Sequence, residues 1–547
     1  MINNKENIKM RLTREGIKER KSFEDKGIIL PNYDVESVSK KALQAPRWVH
    51  FGIGNIFRVF IGGIADELIN QGYLDRGLTC VETFDFEVVD KIYKPYDNLG
   101  LSVILRGDGT RENRVLGSMA EAIKADFRDL EQWNRLKAVF KSRDLQLVSF
   151  TITEKGYALK KPNGEYFDLI KEDIDNGPNQ STSAMAILTA MLWERYQYSQ
   201  TPLALVSMDN CSHNGELLKS SVLTMAKEWQ NKGFVSEDFL NYIRDEKKVV
   251  FPWTMIDKIT PRPSDTIADE LEALGIEDMQ PVETSKRTYI APFINAEGLQ
   301  YLVIEDNFPN GRMELQHGHG VYLANRETVN KSERMKVTAC LNPVHSALGP
   351  LEVVLGIELF ADGLKDQELL KMGRQVAYGE GLPVVEDPKI ISPQVFLDEL
   401  FNDRFPNEYL GDTNLRLSTD VSQGVGVRFG ETIKAYVKKY GTAESLVAIP
   451  LGIAGWLRYM LGVDDQGQSY ELAPDPMNDE LTELFKNIVI GDPDSLKEQL
   501  KPVLSNKNIF FTDLYEAGLG NKIEDMFREM ISGVGATRAT IHKYFGE

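Results

Sequence analysis

Arg47-Trp48-Val49-His50-Phe51-Gly52-Ile53-Gly54-Asn55-Ile56-Phe57-Arg58 is the stretch from which the fold is read. A short apolar run enters two glycines, and the segment 59–69 that follows places Phe60, Ile64 and Leu68 at helical spacing before Gly72. Residues 78–83 then read as a second strand. The order is strand, glycine turn, helix, strand. In such a unit one glycine permits a tight turn, and the other lets backbone N–H groups approach a pyrophosphate at the helix N-terminus. Gly52, Gly54, Asn55, Ile56, Phe57 and Arg58 are therefore the candidate cofactor-binding turn. Phe57 stands where a third glycine is usual, which predicts looser helix–strand packing. Glu82 and Asp85, at the end of the next strand, are candidate acceptors for an adenosine ribose, and acid there favours NAD over NADP by repelling a 2′-phosphate. A plain strand-to-helix turn would share the glycines. The strand before, the helix after and the acid beyond favour the dinucleotide.

Further along, strands are predicted over 101–105 and 118–123, and a helix over 129–140. A long β-rich run covers 145–153 and meets Thr153-Glu154-Lys155-Gly156-Tyr157. A helix over 183–196 and a strand over 203–208 follow, the latter ending in Asp209-Asn210. This alternation predicts an α/β domain with a mostly parallel sheet and a ligand near the carboxyl ends of its strands. From about residue 330 helical periodicity dominates. The chain is thus divided into an irregular arm with a short helix (1–45), a Rossmann-type dinucleotide-binding domain (46–320) and an α-helical substrate and catalytic domain (321–547).

Composition narrows the function. The 547 residues are 42% hydrophobic and 27% charged, as in ordinary globular proteins. Lys and Arg number 63 against 82 Asp and Glu, a net charge of −19. Nucleic-acid binding draws on clustered cations, so it is not expected. Cys80, Cys211 and Cys340 are far apart and form no CxxC pair, which argues against structural zinc and for a reducing compartment. His317 and His319 lie on a glycine-rich loop without the carboxylate spacing of a metal site. No secretory signal and no run of 18 or more apolar residues is visible, so a soluble cytoplasmic protein without a metal or a membrane partner is expected. The oligomeric state is not readable.

The second domain opens on Glu333-Arg334-Met335-Lys336-Val337-Thr338-Ala339-Cys340-Leu341-Asn342-Pro343-Val344-His345. A lysine among apolar helical neighbours invites burial, which lowers its pKa towards the range a general base needs. Asn342 has an amide for an oxyanion, and His345 a ring to orient lysine or substrate. Spacing alone equally describes a snorkelling lysine, a capping asparagine and a core histidine, with Pro343 ending or kinking the helix.

Six segments in order decide between these readings. His50-Phe51-Gly52-Ile53-Gly54-Asn55-Ile56-Phe57-Arg58, Thr153-Glu154-Lys155-Gly156-Tyr157, Ser207-Met208-Asp209-Asn210 with Asn214-Gly215, Met255-Ile256-Asp257-Lys258-Ile259-Thr260-Pro261, Glu333-x-x-Lys336 with Leu341-Asn342-x-x-His345-Ser346, and Arg404-Phe405-x-Asn407 with Asp412, Asp420 and Ser422 resemble the long-chain, zinc-independent mannitol dehydrogenase family. The resemblance implies a Rossmann-type domain, a helical domain, a site between them, NAD(H) or, less favoured, NADP(H), and no metal. It implies Lys336 as general acid/base, Asn210 and Asn342 as oxyanion donors, His345 as a positioning group, Asp257 on the substrate pocket, Glu333 on a proton path, and Thr153 and Glu154 on the cofactor side. Two departures stand out. Asn342 lies six residues after Lys336 where the family has five, so the local turn must absorb one residue, and a proline follows it. Family substrates are polyols such as mannitol and arabinitol, or the hexuronate pairs fructuronate/mannonate and tagaturonate/altronate. The divergent 338–343 segment favours the fructuronate type. A hexuronate carboxylate needs a cation, for which Lys258, Arg58 and Arg404 are the candidates. A polyol dehydrogenase, and a sensor that kept the fold and lost catalysis, remain as alternatives.

Overall fold

The computed structural model describes residues 10–546. The first nine residues of the 1–45 arm lie outside the described residues. The chain forms two compact units, Met1–Asn330 and Lys331–Glu547.

The first unit is built on a six-stranded sheet of Trp48–Phe51 (β1), Leu78–Glu82 (β2), Met119–Lys124 (β3), Leu147–Phe150 (β4), Leu203–Ser207 (β5) and Val249–Val250 (β6). Their spatial order is β3-β2-β1-β4-β5-β6, and each neighbouring pair is parallel. This is the doubly wound dinucleotide-binding order, with its crossover point beside β1. Strand side chains are buried on both faces, which is why the strands read as apolar runs rather than alternating ones. Val49, Phe51, Val148, Phe150 and Leu205 pack into one core with helices Leu130–Lys141, Ala184–Tyr198 and Asn214–Asn231. Trp48, Leu147, Ala204 and Val206 pack into the other, under Phe57, Phe60, Ile64 and Leu68. Each such large apolar side chain contributes about 1.5–3 kcal/mol by leaving water.

Two expectations need correction. The arm is not irregular: Ile28–Ile29 pairs in parallel with Arg111–Leu116, and Val35–Gln44 is a helix capped by Asp34. That strand joins a second sheet with Gly100–Leu105 and Phe293–Ala296, fixed by long-range pairing that local pattern does not reveal. The β-rich run 145–153 is also shorter than read. Its strand ends at Phe150, and Thr153–Tyr157 turns into a helix after a left-handed Thr153 (φ 62°).

A third, three-stranded sheet holds Thr254–Asp257 (β7), Tyr301–Glu305 (β8) and Val321–Ala324 (β9). β7 and β8 are antiparallel, while β8 and β9 are parallel.

The second unit is helical. Helix Asn342–Val354 packs against Ala448–Tyr459, whose N-terminus is closed by the buried Glu380 carboxylate. Glu380 accepts from the N–H groups of Val447, Ala448 and Ile449 at 2.7–2.8 Å. Several helices contain one-turn π segments, among them Met335–Cys340, Leu400–Arg404 and Gly426–Gly430. Such turns lodge an extra residue in a helix and recur at functional sites.

Candidate active site

In the first unit the glycine turn follows β1. Gly52 has φ 85°, and a Cβ there would lie 2.2 Å from the Thr151 carbonyl oxygen, so only glycine fits. A Cβ on Gly54 would meet nothing within 4 Å, so its backbone faces open space. The buried Oδ1 of Asn55 has no donor. An open backbone cradle and an orphaned acceptor at a helix start fit a pyrophosphate and its sugar.

Phe57 does not loosen the packing, contrary to expectation. It is fully buried and stacks on His50 with centroids 4.2 Å apart, and the π turn Phe57–Ile61 gives its ring room. Ile56 is partly buried against the same core. Arg58, expected in the cofactor-binding turn, has both terminal nitrogens engaged by the protein. Its guanidinium is buried and donates to the carbonyls of Ala291 and Pro292 at 2.7 and 2.8 Å, tying the turn to the second sheet.

Glu82 ends β2, buried. Its Oε1 accepts from the N–H groups of Thr83, Phe84 and Asp85 at 3.0, 2.8 and 3.1 Å. Burial raises its pKa, and these amides together with that of Ile53 oppose the rise. Glu82 therefore clamps the glycine turn to the end of the neighbouring strand. Asp85 is also buried, and Oδ2 accepts from the Thr284 hydroxyl at 2.6 Å.

The ends of β4 and β5 are cross-linked. Asp209 accepts from the N–H groups of Ile152 and Thr153 at 2.9 and 3.0 Å. Glu154 and Asn210 are exposed beside this knot. Asn214 bonds the Asp209 carbonyl, the Thr254 hydroxyl and the Thr254 N–H, which joins β5 to β7. Asp257 ends β7, buried and paired in register with Tyr301. Lys258 donates to the Glu297 carbonyl at 2.6 Å, so it is held within this unit.

In the second unit, Lys336 is 2% exposed. It lies in the π turn Met335–Cys340, where its carbonyl accepts from Leu341 N–H, five residues on, at 2.9 Å. A π turn lodges one residue more than an α turn, which is what the longer Lys336–Asn342 spacing calls for. Asn342 then starts the next helix with Pro343 in its first turn, where a missing N–H costs nothing. Glu333 is partly buried one turn before Lys336. His345 is wrapped by the rings of Phe360 and Phe405 at 4.7 and 5.2 Å. Burial, then Arg404, Arg428 and Arg416, hold its pKa down to about 3. The buried Arg404 lines a small cavity with His345, Phe360, Phe405, Asn407 and Asp412.

Among the described residues no group of three or more His, Cys, Asp or Glu is placed to hold a metal ion, and no helix is long and apolar enough to cross a membrane.

Residues 46–317 match the model of the mannitol dehydrogenase Rossmann domain, and 328–531 match that of the mannitol dehydrogenase C-terminal domain. The chain is a member of the mannitol dehydrogenase family. It is accordingly an oxidoreductase acting on CH–OH groups. It is 48% identical over 539 residues to a D-mannonate oxidoreductase of Thermotoga maritima, covering 98% of this chain and 99% of that one. Among solved structures, a D-sorbitol dehydrogenase in substrate-free form matches with TM-score 0.77 at 24% identity, covering 93% of this chain and 97% of that one. A Pseudomonas fluorescens mannitol 2-dehydrogenase in ternary complex with NAD and D-mannitol matches with TM-score 0.70 at 22% identity, covering 98% and 99%. Both likenesses are of fold.

Sequence reasoning did not assign roles to Tyr157, Ser346 or Arg428. Tyr157 and Ser346 sit inside quoted motifs, and their partners are Asp209 and Arg428. Arg428 lies outside every motif and carried no local signal.

Proposed function

We propose that this mannitol dehydrogenase family member reduces D-fructuronate to D-mannonate with NADH, and catalyses the reverse oxidation. The observation that carries this reading is the end-to-end 48% identity to a protein named D-mannonate oxidoreductase. A bound reduced nicotinamide supplies the hydride to the ketone carbon. The cradle at Gly52, Gly54 and Asn55 holds the pyrophosphate by backbone N–H groups, which suits an anion in a chain of charge −19. Glu82 and Asp85 disfavour a 2′-phosphate, so NAD is preferred to NADP.

Lys336 protonates the substrate oxygen as the alcohol forms and takes that proton back in oxidation. Two features support the assignment. The lysine is buried, and its π turn fixes where its Cα stands. His345 is held neutral, so it hydrogen-bonds and orients but does not supply the proton at working pH. Asn342 and Asn210 are assigned as amide donors to the developing oxyanion. Asp257 lines the substrate pocket, and Glu333 relays protons to Lys336. Three separate free cysteines suit a cytoplasmic enzyme.

The test is NADH oxidation with D-fructuronate, D-tagaturonate and D-fructose. Turnover of D-fructuronate with the highest kcat/KM is expected. Turnover of fructose with both uronates inert overturns the substrate, and no turnover with any ketose overturns the enzyme reading.

A further inference from the structure

We propose that Arg428 recognises the carboxylate of the sugar-acid substrate and so selects a hexuronate over a neutral ketose. The inference rests on the hexuronate reading above and names the residue that enforces it.

Arg428 lies in the π turn Gly426–Gly430, half-buried. Its Nη1 donates to the hydroxyl of Ser346 at 2.8 Å, the residue directly after His345. Its charge is felt at His345, where it helps hold the imidazole neutral. The guanidinium therefore lies beside the helical turn that carries His345.

It packs directly over the backbone of Gly424. A Cβ on Gly424 would lie 2.7 Å from Cζ and Nε of Arg428, so a side chain there would push the guanidinium away.

The charge is not compensated by the protein. Arg416 pairs with Asp412, Arg334 with Glu386 and Glu431, and Arg538 with Asp366. Arg428 has no carboxylate within ion-pair distance among the described residues, and Asp420 alone acts on it, from further off. Burial pushes its pKa down, and Asp420 opposes the shift. Of its five N–H donors one is spent on Ser346. A planar fork with free donors and no counter-ion matches a carboxylate, which it can grip through two parallel hydrogen bonds. Two of the three cations considered for this task are less suited. Arg58 has spent both terminal nitrogens on carbonyls, and Lys258 is tied to Glu297.

The test compares wild type with Arg428→Met, Arg428→Lys and Gly424→Ala, using D-fructuronate and D-fructose with NADH, and competitive inhibition by D-mannonate and D-mannitol. Arg428→Met is expected to lower kcat/KM for D-fructuronate by about 10- to 100-fold, mainly through KM, as loss of a charged hydrogen bond implies. Its inhibition by D-mannonate weakens in parallel, while inhibition by D-mannitol stays within about threefold. Arg428→Lys recovers part of the loss, and Gly424→Ala moves KM the same way with the arginine retained. A KM for D-fructuronate within about threefold of wild type in Arg428→Met, or an equal loss for D-mannonate and D-mannitol, overturns the role of Arg428. Wild-type enzyme inert towards D-fructuronate but active on D-fructose overturns the hexuronate reading instead, so the two failures are distinct.

Discussion

The phenol of Tyr157 donates to Oδ2 of Asp209 at 2.7 Å, and lies 2.8 Å from the hydroxyl of Ser207, from which it accepts. One bond thus links the segment after β4 to the segment after β5, and Asp209 adds two backbone amides to it. These strand ends are where a doubly wound sheet places its ligands.

Removing Asp209 leaves the N–H groups of Ile152 and Thr153 and the Tyr157 hydroxyl without their acceptor. Asp209→Ala should lower unfolding stability by about 2–4 kcal/mol, and Tyr157→Phe by about 1 kcal/mol. Urea denaturation measures both. If Asp209→Ala unfolds at the wild-type midpoint, the knot has no structural weight.

Lys336→Ala should lower kcat with D-fructuronate by about 10²- to 10⁴-fold while the melting temperature stays near wild type. His345→Asn should reduce kcat/KM but leave the limbs of the pH–rate profile where they are, because the imidazole is already neutral above about pH 3. Loss of a limb between pH 5 and 8 in that variant would show that His345 titrates in the working range.

Glu352 is fully buried, and neither carboxyl oxygen has a donor. Its hydrogen-bonding neighbour is the side chain of Asn414, whose Oδ1 also lacks a donor and whose Nδ2 donates to the Ile357 carbonyl. A protonated Glu352 has one hydroxyl to donate and carries no buried charge. Burial raises its pKa well above the ordinary carboxyl range. The folded state then keeps a proton that the unfolded state releases above about pH 4.3, so stability falls as pH rises past that value. Glu352→Gln keeps the donor and removes the titration. It should unfold later than wild type at pH 8 by about 1 kcal/mol or more, with the difference gone near pH 4. A gain that is equal at both pH values would sink this reading.

Glu82→Ala strips the acceptor from three consecutive amides. KM for NADH should rise by about tenfold or more, and discrimination against NADPH should fall. Steady-state kinetics with both cofactors checks this, and unchanged discrimination would remove Glu82 from cofactor choice.

The nucleotide half was legible because its cues are local. Gly52 is required by a φ that other residues resist, and the apolar runs of β1, β2, β4 and β5 report burial on both faces of a parallel sheet. The arm was misread because Ile28 gains its partner, Asn113, from a strand far along the chain. Arg58 was read as part of the cofactor-binding turn because its motif neighbours are candidates for it. Only the position of Ala291 and Pro292 shows where its guanidinium goes.

By itself the sequence determined the α/β nucleotide fold, the helical second half and the set of chemically able side chains, because period, turn stereochemistry and residue type are properties of short segments. Tertiary structure alone decided that Lys336 lies buried in a π turn, that burial and nearby arginines hold the His345 pKa down, and that Arg428 has no ion-pair partner among the described residues. Burial and charge compensation are sums over neighbours brought from distant parts of the chain, so no single stretch of sequence contains them.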